Sequence, residues 1–137
     1  MPVRFLSLEQ VLGIHRDEID LYGGEPGVRD TGLLESALAM PAATFGGQFL
    51  HRDIFEMAAA YLFHIAKNHP FLDGNKRVGV AAANTFLILN GHELDVPQTE
   101  IIAFVLALAQ SERTKTDAAV FVRRYARPIP PSWKGSS

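Results

Sequence analysis

The chain has 137 residues, the size of a single domain that can bury a real core. Hydrophobic residues make up 47% and charged residues 20%, which excludes a disordered chain. A net charge of −2 and the lack of cysteine exclude a broadly basic nucleic-acid face, a disulfide framework and thiolate or zinc–sulfur chemistry.

The first predicted helix covers about residues 7–22. Ser7 and Gln10 form a capping-box pattern, and Leu8, Val11, Leu12, His15 and Ile19 share one face. Gly23, Gly24, Pro26 and Gly27 break the chain. A short helix follows, with Asp30 as N-cap and Leu33, Leu34, Ala37 and Leu38 on it, and stops before Pro41. Residues 42–50 hold Gly46 and Gly47 between Phe45 and Phe49 and read as a loop or short β-hairpin.

Asp53 and Glu56 cap the next helix, over about residues 54–68. It is apolar most of the way round, as a central buried helix is. A helix over about residues 75–90 ends at Asn90-Gly91. Asp95, Pro97 and Gln98 mark another start, and Thr116 is expected to cap a last helix reaching Pro128. The expected sum is an all-α, single-domain bundle of about six helices. Its core spans about residues 5–127, and residues 128–137 are expected to be a loose tail. No apolar run is long enough for a bilayer, and the N-terminus lacks a basic segment leading into an apolar one. The expectation is therefore a cytoplasmic protein that meets neither membrane nor nucleic acid directly.

The chemistry concentrates in His69-Pro70-Phe71-Leu72-Asp73-Gly74-Asn75-Lys76-Arg77. A turn feeding a helix N-terminus favours an anion, because unpaired N–H groups and the helix dipole point at it. His69 has a pKa suited to proton transfer near neutrality. Alone it would be an ordinary surface histidine; beside Asp73, Asn75 and Arg77 it is a candidate base. Phe71 is the buried anchor of the turn. Asp73 offers hard oxygen ligands for Mg2+ shared with phosphates, or else caps the following helix. Gly74 permits positive φ and close approach of a ligand. Asn75 can donate its amide to phosphate, and Lys76 and Arg77 supply charge, Arg77 with the bidentate fork. Adjacent helical residues point about 100° apart, which favours Arg77 over Lys76 at one site. The ligand expected is a nucleotide, ATP, with Mg2+. His15, His51, His64 and His92 lack metal-like spacing; Arg29-Asp30 could hold the edge of a pocket, but an N-cap with a solvated neighbour explains it well enough.

This motif resembles that of the Fic/Doc superfamily. The run from Gly27 through Asp30 and Leu34 to Leu38, Thr44-Phe45-Gly46-Gly47, and Ala66-Lys67-Asn68-His69-Pro70-Phe71 all resemble death-on-curing proteins. The resemblance implies a Fic/Doc-type helical bundle with a hairpin flap. It implies His69 as the residue taking a proton from a target hydroxyl, Asp73 as the magnesium ligand, and Gly74, Asn75 and Arg77 as phosphate contacts. Thr44, Phe45, Gly46, Gly47 and Gln48 match the flap that holds the target segment by strand-like pairing.

Fic AMP-transferases have glycine where this chain has Lys76, and a second arginine where it has Val80. Death-on-curing toxins share both departures. The resemblance to them implies transfer of the ATP γ-phosphate to a threonine of elongation factor Tu, restrained by a separate antitoxin chain. Gly74 is the position that points back to AMP transfer. The self-inhibitory helix pattern of many Fic proteins is not completed, because Ser36 follows Thr31 and Glu35. A catalytically silent binding module is the reading from another class, and the His69, Asp73 and Arg77 set argues against it.

Overall fold

In the computed structural model, residues 2–130 are described. Helix α1 (Leu8–Tyr22) starts on the expected capping box, Ser7 with Gln10, and stops at Gly23, where φ is 82°. Helix α2 (Thr31–Ala39) begins at Asp30, whose side chain accepts the Leu33 N–H, and runs into a 3-10 turn, Met40–Ala42. Strands β1 (Thr44–Phe45) and β2 (Gln48–Phe49) form the short hairpin, with Thr44 opposite Phe49 and Phe45 opposite Gln48. Gly46 and Gly47 both take positive φ, as a tight two-residue hairpin turn requires.

Helix α3 (Ile54–Asn68) is the centre. It is capped by Asp53 and buries Met57 through Leu62 together with Ile65 and Ala66. It packs on α2 and on helices α4 (Asn75–Leu89), α5 (Gln98–Ala109) and α6 (Lys115–Tyr125). Close approach of α3 and α4 depends on Gly79: a Cβ there would lie 3.2 Å from the Leu62 carbonyl oxygen. Tyr61, Phe71 and Phe86 are the largest fully buried side chains. Each contributes roughly 1.5–3 kcal/mol through burial. The all-α bundle with a hairpin expected from the sequence is what forms. Among the described residues, no helix is long and apolar enough to cross a membrane.

The C-terminal end departs from expectation. Thr114, not Thr116, caps α6, in a capping box with Asp117. Thr116 has Ala119 at the place where that pattern needs a carboxylate or amide. The helix stops at Tyr125, and Ala126–Pro128 form strand β4, antiparallel to β3 (His92–Leu94). Pro128 disfavours helical backbone at Arg127 and turns the chain extended. Residues 126–129 are therefore paired rather than loose, with Ile129 also donating to the Gly91 carbonyl. The rest of the expected tail, 131–137, lies outside the described residues.

Candidate active site

The site starts where α3 stops. Pro70 cannot continue a helix, and His69 before it takes a left-handed conformation, φ 52° and ψ 57°. Such backbone is uncommon for a residue with a Cβ and needs support. Support comes from the segment between α1 and α2, which runs antiparallel to the motif. The Arg29 and Asp30 N–H groups both donate to the Pro70 carbonyl, at 2.8 and 3.0 Å. Val28 bridges Phe71, and Leu72 donates to the Gly27 carbonyl at 3.1 Å. The Glu25 N–H donates to Asp73 Oδ2 at 3.2 Å. Gly24 lies so close to the motif that a Cβ there would meet Asp73 Oδ2 at 2.8 Å. The Arg29 guanidinium donates to the His69 carbonyl at 2.6 Å and to the Asn68 carbonyl at 2.9 Å. The solvated neighbour expected from the sequence is thus a clamp on the motif.

Beneath the turn, Phe71 is fully buried. His15 stacks on it with centroids 4.0 Å apart and planes 7° from parallel. His15 Nε2 lies 3.0 Å from the Asp73 carbonyl. A carbonyl only accepts, so Nε2 carries the proton. The Asn75 amide binds the Phe71 backbone at both ends, accepting its N–H at 2.9 Å and donating to its carbonyl at 3.0 Å. The amide thus ties the loop together, and one of its two Nδ2 hydrogens is engaged in doing so.

Above the turn are the charged and titratable groups. Burial, then the charges of Lys76, Arg29 and Lys67, lower the His69 pKa, so the imidazole is neutral and ready to accept a proton. Asp73 is exposed. The N–H groups of Glu25 and Gly74, then the charges of Arg77 and Lys76, hold its carboxyl below the usual range. Asp73 does not cap α4. Gly74 is the N-cap, at φ 78°, and among the described residues no side chain bonds the first turn. The first-turn N–H groups are thereby left for a ligand.

Arg77 lies beside that turn. A Cβ on Gly74 would sit 3.2 Å from its Nη2. Its guanidinium donates to the Gly23 carbonyl at 3.0 Å and more weakly to that of Glu18 at 3.4 Å, with the Tyr22 ring 5.8 Å away. Two nitrogens are used, so N–H donors remain. Lys76 is exposed and, with Arg77 and Val80, lines a cleft of about 400 Å³ between α1, α4 and α5.

The structure thus sets Asp73 and Gly74 near Arg77, brings Lys76 within electrostatic reach of both His69 and Asp73, and buries Phe71 and Asn75. The hairpin stands apart: no hydrogen bond joins its described residues to the motif, and its Phe49 ring packs on Phe5. Phe45 at its tip is 83% exposed.

A profile of the Fic/DOC family matches residues 5–87. The chain belongs to the Fic/DOC family. Among its relatives is a protein of Mycolicibacterium smegmatis named Toxin Doc, 49% identical over 73 residues. That alignment takes in 53% of this chain and 56% of the relative, little more than half of its length. Another, from Escherichia phage P1, is named Protein kinase doc and is 32% identical over 123 residues, 89% of this chain and 95% of the relative.

His15 and Arg29 are the residues that reading the sequence missed. His15 shares the buried face of α1 with Val11. A lone histidine on an apolar stripe could have suggested a partner from elsewhere in the chain. Nothing near Arg29 in sequence signals that its partners lie about forty residues away.

Proposed function

We propose that this chain transfers the γ-phosphate of ATP to a serine or threonine hydroxyl of a translation factor, elongation factor Tu being the candidate. It acts as a toxin restrained by a separate antitoxin chain. The feature that carries this reading is a turn in which His69, its pKa lowered by burial and nearby cations, leads into an uncapped helix N-terminus flanked by Asp73 and Arg77. The relatives named toxin and protein kinase support it.

The residues fit a nucleotide phosphate with its metal. Asp73 is exposed and kept ionised, a suitable ligand for Mg2+. The first N–H groups of α4 and the spare Arg77 donors suit phosphate oxygens. ATP with Mg2+ supplies the transferable phosphoryl group and neutralises its charge. His69 receives the hydroxyl proton as the new P–O bond forms and the bond to ADP breaks. The turn does the rest by positioning, which is most of what phosphoryl transfer needs. The hairpin, with its exposed edges and Phe45, is suited to pair with an extended target segment.

Lys76 and Val80 favour γ-phosphate transfer over AMP transfer. Gly74 favours the second reading, because its left-handed backbone leaves the turn open to close phosphate approach. ATP labelled separately at the α- and γ-phosphates, with elongation factor Tu as acceptor, tests both, and intact mass reads the adduct. A phosphate adduct is expected; an AMP adduct replaces the first reading with the second, and no adduct promotes a silent binding module.

A further inference from the structure

Helix α3 has a problem at its end that its own backbone cannot solve. The last carbonyls of any helix lack intrahelical partners. A left-handed residue normally closes the end, with the next N–H bonding back into the helix. Here the left-handed residue is His69 and the next is Pro70, which has no N–H. Three successive carbonyls are taken by one short segment instead. Arg29 Nη2 donates to Asn68, Arg29 Nε to His69, and the backbone N–H groups of Arg29 and Asp30 to Pro70.

We propose that Arg29 is a positioning residue for His69: its guanidinium fork replaces the missing cap and locks the left-handed turn from which the imidazole projects. The proposal rests on His69 being the base. Arg29 has two separable effects. Its planar fork spans two carbonyls, a geometry that lysine cannot copy. Its charge, with those of Lys67 on α3 and Lys76 on α4, also disfavours the protonated imidazole. The fork fixes where the ring sits and the charge fixes when it is free to accept a proton.

Arg29→Lys keeps the charge and loses the fork; Arg29→Gln loses both. Arg29 is exposed, so both variants are expected to fold, which circular dichroism checks. Both are expected to lower kcat by ~10-fold or more, the scale of a misplaced catalytic group, with KM for ATP little changed. The acid limb of the pH–rate profile should move to higher pH in Arg29→Gln and stay in place in Arg29→Lys. NMR of the substrate-free protein gives a second readout: the His69 backbone coupling should leave its left-handed value in both variants. Folded variants with wild-type kcat, or with the His69 coupling unchanged, overturn the proposal. His69→Ala with wild-type turnover would instead overturn the base assignment, while the NMR readout would still report on the clamp.

Discussion

The Asn75 side chain holds Phe71 by both of its backbone groups, its Oδ1 accepting the N–H and its Nδ2 donating to the carbonyl. Asn75 is 8% exposed and Phe71 is fully buried, so water cannot replace these bonds cheaply. Asn75→Ala would leave two buried backbone groups unpaired, at ~1–3 kcal/mol each. The expected outcome is a loss of about 2–6 kcal/mol in urea denaturation, with activity lost along with the loop. Unchanged stability with weakened ATP binding would return Asn75 to the phosphate-contact role expected from its sequence position.

Asp73 has a different dependence. Its carboxylate is exposed, bonds the N–H groups of Gly74 and Glu25, and does not cap α4. Asp73→Ala should therefore leave the melting temperature nearly unchanged and abolish the Mg2+ dependence of ATP binding. Calorimetric titrations with and without Mg2+ check this. Equal ATP affinity in wild type and variant, with the metal present, would remove Asp73 as a ligand. Because its carboxyl is held below the usual range, the Mg2+ effect should persist into mild acid.

Local signals were legible and distant pairings were not. Ser7 with Gln10, Asp30 and Asp53 each satisfy N–H groups within one turn, so the sequence suffices to place them. The nine residues of the motif were likewise readable as one turn, because its residues lie within one short stretch. Arg29 and His15 reach the motif from 39 or more positions away. Strand β4 pairs with β3 across the intervening α5 and α6. The bonds of Asn75 to Phe71 could not be read because an amide suits phosphate and backbone equally, and only the loop's curvature brings the Phe71 backbone to it. The same holds for Asp73, whose sequence neighbourhood resembles an N-cap while Gly74 takes that place.

The histidines between α3 and α6 predict how the fold fails in acid. His64 has its pKa pushed down to about 4 by burial, then by Lys115 and His51. His51 is likewise lowered, first by burial and then by Lys115. Among the described residues, His64 Nε2 and His51 Nδ1 are buried without a hydrogen-bond partner, so a proton on either would be left unpaired there. The unfolded chain takes up a proton at His64 near pH 6.5, the folded one only near 4. Stability therefore rises with pH across that window and is lost as pH falls from about 6.5 to about 4. The full shift is worth at most ~3 kcal/mol, a large share of a domain's usual 5–15 kcal/mol. Glu56, whose carboxyl the Arg52 N–H and guanidinium hold below its ordinary 4.5, adds its own loss only at lower pH. Urea midpoints measured from pH 7 to pH 4 should fall steadily in wild type. His64→Phe should flatten most of that slope, leaving a smaller one of the same sign from His51. A wild-type midpoint constant from pH 6.5 to pH 4 would mean that His64 charges freely in the folded state.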